Sequence, residues 1–277
     1  MVARLILALL PLVFARIRQE PTRQENPQPV APFTERMNKQ FSFYPGGKVA
    51  ITSGVAGNVK VLGWNLSSVR IDAEKIVYQL PTEQARALAT EFPMSVRYTQ
   101  TTATIGFPGR PGPPRAGAGV EINAVVYVPA TRTDVAVRLI KGDAAVGGIT
   151  GWVEVTLEDG NIEAKALQGY FSSITKRGDI TVELAGKRWQ GHGCTAATLR
   201  GSVALRVPAD YSAALQLETR DGELSVDYPE QLVDGEKIPL GVVTKKKGRS
   251  LKATLGDGGA PIRLSTAAGD IRLAAIP

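Results

Sequence analysis

Residues 142–186 read GDAAVGGITGWVEVTLEDGNIEAKALQGYFSSITKRGDITVELAG. Glycines recur in this stretch every nine residues, at positions 142, 151, 160, 169 and 178. Between them apolar and polar residues alternate, as Val153, Val155 and Leu157 do with Glu154 and Thr156. Alternation with a period of two indicates strands with one buried face, and a glycine followed by Asp or Asn is typical of a turn. The stretch therefore predicts units of one strand and one tight turn.

A longer repeat combines these units. A glycine, a small polar or acidic residue and an aliphatic residue follow one another at 160, 178, 201, 222 and 269. A repeat of about 20 residues is typical of a solenoid or array. We predict an all-β protein, a β-solenoid with roughly 18–23 residues per coil, in which each coil buries its inner face on its neighbours. A stacked β-meander or sandwich is the alternative, because nine residues also make one strand and a turn.

The chain divides into four segments. Residues 131–277 carry the regular repeats, and residues 41–130 form a lead-in β region that contains Gly57–Val61 as an early version of the repeat. The lead-in region includes one predicted helix, Thr82–Phe92, which Thr82 can cap and Pro93 ends. It also includes a Pro/Gly surface loop, Gly106–Gly119. Residues 16–40 contain four prolines and no apolar period, which predicts a flexible leader.

Residues 1–15 are predicted to be a secretory signal peptide. Arg4 precedes an apolar run, Leu5–Ala15, which is shorter than the about 20 residues that a transmembrane helix needs. Val13 and Ala15 are small enough for cleavage after Ala15. We therefore expect export to the periplasm, the cell surface or the extracellular space, with no transmembrane helix.

The composition limits the possible chemistry. Of 277 residues, 33 are Lys or Arg and 26 are Asp or Glu, and 43% are hydrophobic. This apolar content is too high for a disordered chain. One cysteine and one histidine exclude an intrachain disulfide framework and a Cys/His zinc site built within this chain.

The single histidine and the single cysteine lie close together as His192 and Cys194. Residues two apart on a strand share a face, so contact between a nucleophile and a base is one interpretation. The favoured interpretation is a glycine-flanked turn that leads into the strand Thr195–Leu199, with Cys194 packed as a small hydrophobic residue.

Asp143, Asn161 and Asp179 follow repeat glycines and are 18 residues apart, so they would stack as a ladder on one edge of a solenoid. A calcium site is one interpretation, but the tandem glycine-rich pattern of calcium-binding nonapeptides is missing. Turn formation by these side chains is favoured.

The C-terminal stretch is basic. Residues 235–277 hold eight Lys and Arg against three Asp and Glu, including Lys245–Lys247, Arg249 and Lys252. A solvated hairpin loop is the favoured interpretation. The alternative is contact with anionic polymers or lipid headgroups of a cell envelope.

Five short motifs together resemble a known bacterial family. They are Pro45–Val49, Gly57–Trp64, Val207–Ala213, Thr219–Leu224 and Thr266–Ile271. In this order they are similar to secreted β-strand-repeat proteins described as candidate adhesins, a family whose domain has no known function. The resemblance covers residues 41–277 and implies a β-solenoid and an exported protein, but no catalytic residues. Arg200–Gly201, where Asn-Gly is usual, and the inserted loop Gly106–Gly119 depart from the family pattern.

We therefore predict an exported, non-enzymatic envelope β-repeat protein that acts as an adhesive, scaffolding or ligand-binding surface. The candidate contact residues are the aromatic side chains Trp152, Tyr170, Trp189 and Tyr211. The expected partner is an anionic envelope polysaccharide or another envelope protein, and not nucleic acid. No catalytic, cofactor-binding or metal-binding residue is assigned.

Two other functions stay open. One is a sensor or regulatory partner of an envelope signalling system. The other is an enzyme acting on acidic polysaccharide, which would need outward-facing carboxylates to converge in one groove. The outward-facing candidates are Glu154, Glu158, Glu163 and Glu183.

Overall fold

The computed structural model of the chain describes residues 31–109, 119–233, 236–238, 240, 243–244 and 248–276. The predicted signal peptide, residues 16–30 of the predicted leader, most of the Pro/Gly loop and Lys245–Lys247 lie outside the described residues.

These residues form 23 strands and one helix. The first half contains β1 (Phe33–Ser42), β2 (Lys48–Ser53), β3 (Val59–Trp64), β4 (Ser68–Tyr78), α1 (Thr82–Thr90), β5 (Ser95–Tyr98), β6 (Thr102–Phe107) and β7 (Gly119–Pro129). The repeats contain β8 (Asp134–Lys141), β9 (Ala144–Gly147), β10 (Thr150–Asp159), β11 (Ile162–Lys165), β12 (Gln168–Arg177), β13 (Ile180–Glu183), β14 (Gly191–Arg200), β15 (Val203–Pro208), β16 (Ala213–Asp221) and β17 (Leu224–Asp227). The C-terminal part contains β18 (Gln231–Val233), β19 (Glu236–Ile238), β20 (Val243–Thr244), β21 (Arg249–Leu255), β22 (Pro261–Ala268) and β23 (Ile271–Ile276). The all-β prediction is confirmed.

The strands form two large mixed sheets. The ten-stranded sheet has the order β1-β4-β7-β3-β9-β11-β13-β15-β23-β17, and the eleven-stranded sheet has the order β20-β21-β16-β22-β14-β12-β10-β8-β2-β6-β5. Strands β18 and β19 pair separately. From β8 to β17 the chain alternates between the two large sheets, and from β8 to β15 each strand pairs with a strand one repeat away and not with its neighbour in sequence.

The pairing follows the sequence repeat closely. Val155 of β10 lies beside Ser173 of β12, and Ile162 of β11 lies beside Ile180 of β13, both in parallel and 18 residues apart. The last repeats depart from chain order, because β22 lies between β14 and β16, and β23 lies between β15 and β17. The antiparallel strand β21 pairs with β16 and returns the chain, which then inserts β22 in parallel.

The repeat glycines occupy positions that other residues tolerate poorly. Gly160 has φ +144° and Gly178 has φ +140°. A Cβ on Gly178 would clash with the carbonyl oxygen of Gly160, the equivalent glycine of the preceding repeat. Both the backbone conformation and the close packing of backbones therefore require glycine.

The core lies between the inner faces of the two sheets, as the alternation predicts. Val153, Val155 and Leu157 of β10 and Ile180 and Val182 of β13 are at most 2% exposed. They belong to one continuous apolar cluster that runs through both sheets. The four candidate glutamates face outward, since none is among the buried residues.

The start of the folded body differs from the prediction. Phe33–Ser42 forms β1 and pairs antiparallel with β4, although residues 33–40 were assigned to the flexible leader. The four prolines of residues 16–40 end at Pro32, and the strand with its period of two begins directly after it. Gly106 and Phe107 belong to β6 and Gly119 begins β7, so the Pro/Gly loop is shorter than predicted.

The predicted helix is confirmed, although it ends at Thr90 and not at Phe92, and the predicted cap is wrong. Helix α1 begins at Thr82, its N-cap residue is Pro81, and no side chain caps it. The buried Lys75 of β4 holds the other end, since its Nζ donates to the carbonyl oxygen of Ala89 at 2.7 Å and lies 3.0 Å from Glu35 Oε2. A cation at the C-terminal end of a helix also interacts favourably with the helix dipole.

Candidate binding surfaces on the outer sheet faces

Three aromatic rings, those of the exposed Trp152 and His192 and the half-buried Tyr170, form a cluster on the outer face of the eleven-stranded sheet. Trp152 of β10 and Tyr170 of β12 occupy paired positions, and their ring centroids are 4.0 Å apart. The ring of His192 in β14 lies 6.3 Å from that of Trp152. Trp152 is 44% exposed. We call Trp152, Tyr170 and His192 the aromatic platform.

The 18-residue repeat positions the platform. Trp152 follows Gly151 and Tyr170 follows Gly169, so parallel pairing of the two repeats brings the two rings side by side. Trp152 Nε1 donates to Glu154 Oε1 at 2.8 Å, and its backbone N–H donates to Asp134 Oδ1 at 3.0 Å. The first bond orients the indole, and the second fixes the backbone of Trp152 against β8.

His192 and Cys194 do not share a face, which excludes the nucleophile–base interpretation. The register between β12 and β14 shifts next to His192, because Gly169 pairs with Gly191 while Tyr170 pairs with Gly193. A β-bulge adds one residue to a strand and breaks its alternation. His192 is therefore exposed, whereas Cys194 is 1% exposed in the core. Both residues lie within β14, which starts at Gly191, and not in a turn before the strand as predicted.

The thiol of Cys194 is an unreactive core group. Complete burial raises its pKa to about 12. A thiolate is the nucleophilic form of cysteine, so a thiol with this pKa has little reactivity at neutral pH.

Two of the four candidate aromatic contacts are core residues. Trp189 is 5% exposed, and its Nε1 donates to the carbonyl oxygen of Gly169 at 3.0 Å. Tyr211 is 1% exposed. Sequence alone could not separate them from Trp152 and Tyr170, because Trp189 and Tyr211 lie just outside strands and have no alternation to indicate a face.

The outer face of the eleven-stranded sheet has an excess of positive charge. It presents seven Lys and Arg against four Asp and Glu among the described residues. The basic residues are Lys48, Arg97, Arg138, Lys176, Arg220, Lys252 and Arg263, and the acidic residues are Asp134, Glu154, Glu158 and Glu218. We call this surface, which includes the aromatic platform, the basic face.

The outer face of the ten-stranded sheet has the opposite balance. In the part of the chain that the structure describes, its strands present six Lys and Arg against six Asp and Glu, and the turns that lead into β9, β13, β17 and β23 add four further acidic residues. The basic residues are Arg36, Lys60, Arg70, Lys165, Arg206 and Arg272, and the acidic residues are Asp72, Glu74, Glu121, Asp143, Glu163, Asp179, Glu183, Glu223, Asp227 and Asp270. We call this surface the acidic face. The candidate glutamates are divided between the faces, with Glu154 and Glu158 on one and Glu163 and Glu183 on the other. Glu163 and Glu183 lie 2.9 and 4.0 Å from the same Lys165 Nζ, but the four do not meet in one groove.

The acidic face contains an open cleft of about 840 Å³. It lies where the long strands β1, β4 and β7 meet the shorter strands β3, β9, β11 and β13. Asn58, Asp143, Asn161 and Asp179, which follow the repeat glycines, line one side of it, and Lys60 lies among its lining residues.

Asp143, Asn161 and Asp179 form the predicted ladder, but they bond between repeats and not within their own turns. Asp143 Oδ1 accepts from the backbone N–H of Asn161 at 2.8 Å, and Asn161 Oδ1 accepts from that of Asp179 at 2.9 Å. Asp179 Oδ1 accepts from Ser202 N–H at 2.7 Å. Because the repeats stack closely, each Oδ1 bonds to the backbone N–H of the next repeat and not to an N–H of its own turn. Among the described residues, no group of three or more His, Cys, Asp or Glu side chains could hold a metal ion.

A row of buried threonines was missed by the sequence analysis. Thr175, Thr198, Thr219 and Thr266 donate from Oγ1 to a glycine carbonyl oxygen in the adjacent repeat, at 2.8–3.1 Å. Each stands three residues before a repeat glycine, and this constant spacing in the sequence could have indicated their shared role. The hydroxyls satisfy carbonyl groups at the point where each strand turns.

A second aromatic pair was also missed. Trp64 of β3 and Tyr127 of β7 have ring centroids 5.3 Å apart, and the Arg70 guanidinium lies 5.8 Å from the Tyr127 ring centroid. Tyr127 lies on the outer face, two residues along β7 from Val125, which lines the cleft. The pair therefore borders the cleft.

Comparisons with known proteins return structures but no sequence match. No protein-family model and no curated protein matches the chain. A candidate cell adhesion protein from Clostridium sporogenes has 9% identity and a TM-score of 0.45 and covers 87% of this chain and 100% of its own. A candidate adhesin from Bacteroides fragilis has 12% identity and a TM-score of 0.41, with 86% and 97% covered.

A candidate lipid-binding protein from Parabacteroides distasonis has 11% identity and a TM-score of 0.28 and covers 86% of this chain and 96% of its own. The predicted resemblance to candidate adhesins is confirmed, in that chains so described are among the similar structures. At these identities and TM-scores the similarity transfers no ligand, partner or site to this chain. No helix among the described residues is both long and apolar enough to span a membrane.

Proposed function

We propose that this chain is an exported, non-enzymatic protein of the bacterial envelope and that its basic face binds an acidic envelope polysaccharide. The observation that carries the proposal is the aromatic platform, which lies exposed in a surface with more Lys and Arg than Asp and Glu. The signal-peptide pattern of residues 1–15 supports export.

The platform suits sugar rings. The C–H groups of a sugar ring pack against the face of an aromatic ring, and Trp and Tyr offer large apolar faces with a polar tip. Trp152 and Tyr170 are held in adjacent strands, so binding to them costs little side-chain entropy. The bond from Trp152 Nε1 to Glu154 fixes the indole orientation before a ligand arrives.

The surrounding charges suit an acidic polymer. Lys48 lies on β2, next to the strand that carries Asp134, and Arg263 lies on β22, next to the strand that carries His192. Cations spread over a sheet face attract a polyanion along its length. The outer face of a sheet is also extended, as a linear polymer requires. The candidate glutamates that come close together, Glu163 and Glu183, flank Lys165 on the opposite face from the platform, which supports binding over glycoside hydrolysis on the basic face.

We also propose that the repeats are coils of a β-solenoid, with a lead-in region that starts at β1 and ends at residue 130 and the repeats over residues 131–277. Parallel pairing of strands 18 residues apart supports this, as does the alternation of the chain between two sheets. In a meander, consecutive strands would be antiparallel neighbours in one sheet. Stacked coils would explain why equivalent side chains form rows, of which the platform is one.

The test is calorimetric titration of the purified protein with polygalacturonate, an acidic glycan, and with dextran, a neutral one. We expect polygalacturonate to bind and its affinity to fall with added salt, because the surface charges are screened. The double variant Trp152→Ala/Tyr170→Ala should bind about tenfold more weakly or worse.

Ile140→Ala is the matched control, since Ile140 is a 52% exposed apolar residue on the same face, away from the platform. Its affinity should equal that of the unchanged protein. The proposal is wrong if neither glycan binds, or if the double variant and the control bind equally well.

A further inference from the structure

We propose that the cleft in the acidic face is a second binding site, which takes a short glycan with hydroxyl or amino groups and without acidic groups. This site lies on the face opposite the aromatic platform and is independent of the proposed function. The volume of about 840 Å³ lies within the range of roughly 300–1,000 Å³ that is typical of small-ligand sites.

The ladder presents polar atoms that are already oriented. Each of its four side chains accepts a backbone N–H at Oδ1; they are Asn58, Asp143, Asn161 and Asp179. The second polar atom of each side chain, Nδ2 of Asn and Oδ2 of Asp, takes no part in those bonds. Because one hydrogen bond already restricts each side chain, ligand binding costs little additional side-chain entropy.

The order of these atoms indicates the ligand chemistry. From Asn58 to Asp179 the row alternates, because Asn58 offers a donor, Asp143 an acceptor, Asn161 a donor and Asp179 an acceptor. Asn123 accepts the N–H of Asn58 and adds a further donor at the start of the row. A hydroxyl group both donates and accepts, so a polyhydroxylated ligand can bond to every position of an alternating row. An amino group on a sugar would in addition pair with Asp143 or Asp179.

The charges of the cleft disfavour an acidic ligand. Of its lining residues, three are basic and five are acidic. Arg36 lies 3.4 Å from Glu74, and Arg70 lies 2.9 Å from Asp72, so two of the three cations already face carboxylates. The lining residues together carry two more negative than positive charges, which disfavours a ligand with acidic groups.

The sheet itself disfavours a peptide strand as the occupant. Of the strands that line the cleft, β4, β7, β3, β9, β11 and β13 are paired on both sides, and the unpaired edge of β1 is on its side away from β4. Addition of a peptide strand needs an unpaired edge. A ligand in the cleft is therefore recognised by side chains and not by pairing with a strand backbone. The aromatic pair of Trp64 and Tyr127 at its border adds an apolar surface against which a sugar ring can pack.

Sites on opposite faces would allow one molecule to hold two glycans of different charge at once. If the basic face also binds an acidic polymer, as proposed above, the protein would bridge that polymer and a neutral or amino-bearing glycan on the acidic face; this consequence, unlike the cleft site itself, rests on the proposed function. Bridging depends on simultaneous binding, which opposite faces permit sterically.

The experiment is calorimetric titration of the folded protein with trimers of glucosamine, N-acetylglucosamine and galacturonic acid. We expect the first two to bind and the acidic trimer not to bind. The double variant Asp143→Asn/Asp179→Asn retains Oδ1 for the ladder but replaces two acceptors by donors. It should bind the glucosamine trimer about tenfold more weakly, the effect of losing a hydrogen bond to a charged group.

Asp270→Asn is the matched control. Asp270 makes the same ladder bond, to the N–H of Glu223 at 2.8 Å, but does not line the cleft. Its affinity for the trimer should be unchanged, and thermal unfolding of all variants checks that they fold. Equal weakening by Asp270→Asn, or no binding of either non-acidic trimer, would overturn the inference.

Two further outcomes separate this inference from the proposed function. If Trp152→Ala abolishes trimer binding, the trimer binds on the basic face and the cleft is not its site. If the trimers fail to bind while polygalacturonate binds through Trp152, the cleft inference is wrong and the proposed function stands.

Discussion

Asp143 Oδ1 accepts a hydrogen bond of 2.8 Å from the backbone N–H of Asn161, a residue 18 positions later in the chain. The same bond recurs from Asn161 to Asp179 and from Asp179 to Ser202, with lengths of 2.9 and 2.7 Å. One side chain per repeat therefore ties each turn to the next turn in the stack, at the edge where the chain leaves one sheet for the other.

The first prediction concerns this ladder. Asn161→Ala removes the acceptor for the N–H of Asp179, so we expect the free energy of unfolding to fall by about 1 kcal/mol, the typical net value of one hydrogen bond. Glu163→Ala, on the same strand and face, removes only an exposed ion pair with Lys165 and should cost less than about 0.5 kcal/mol. Urea unfolding of both variants measures the difference; equal costs would mean that the ladder contributes nothing specific.

The second prediction concerns the buried threonines. Thr198 is 3% exposed and donates to the carbonyl oxygen of Gly178 at 3.0 Å. Thr198→Val keeps the shape but leaves that carbonyl without this partner, so it should destabilise the protein by about 1–2 kcal/mol. Thr198→Ser retains the hydroxyl and should lose less. Chemical unfolding gives both values, and a Val variant as stable as the Ser variant would contradict the assigned bond.

The third prediction concerns the repeat glycines. At Gly178 an added methyl group meets a left-handed backbone region and the Gly160 carbonyl together, so Gly178→Ala should cost at least about 1–3 kcal/mol. Gly147→Ala is the control, because its Cβ would make an ordinary contact 3.5 Å from the carbonyl oxygen of Lys165. Thermal melts should separate the two variants clearly. Similar melting temperatures would refute the backbone argument.

The fourth prediction is a pH dependence. Burial raises the pKa of Cys194 to about 12 from an ordinary value of 9.0, so in the folded protein the thiol stays protonated where the unfolded chain has released its proton. The unfolded state then binds fewer protons between pH 9 and 12, and stability falls as pH rises through that window. At pH 10 the loss from this group is about 1 kcal/mol.

Cys194→Ala removes that contribution. The difference in unfolding free energy between pH 7 and pH 10 should therefore be smaller in Cys194→Ala than in the unchanged protein, by the same amount of about 1 kcal/mol. Denaturant titrations at the two pH values measure it. An identical pH dependence in both proteins would show that the thiol is not buried as described.

The fifth prediction concerns export. The apolar run that ends at Ala15 predicts a mature protein that begins at Arg16. N-terminal sequencing of the protein recovered from the medium or periplasm of a secreting bacterial host tests it. Recovery of chains that still begin with Met1 from the soluble cytoplasm would contradict the signal peptide.

Much of the local structure follows from short-range patterns. The alternation around Val153, Val155 and Leu157 predicted which side chains are buried, because successive side chains of a strand point to opposite faces whatever the strand pairs with. The φ values of Gly160 and Gly178 followed from the turn pattern in the same way. These properties depend on residues within a few positions of each other.

The candidate site was predicted only in part. Trp152 and Tyr170 were named as contacts, but Trp189 and Tyr211 were named with them and are buried. The cleft was not predicted at all. It is formed by strands from two parts of the sequence, such as β4 and β11, and no local pattern records that they lie near each other.

By itself, the sequence determined that this protein is built from strands with one buried face, joined at glycine turns, since both properties arise from local backbone conformation and side-chain alternation. The tertiary structure alone decided which repeats are neighbours: β22 and β23 insert between earlier strands, and the bulge beside His192 separates it from Cys194. Those choices depend on hydrogen bonds and packing between residues far apart in the chain, which compete with one another and are decided only when both sheets assemble.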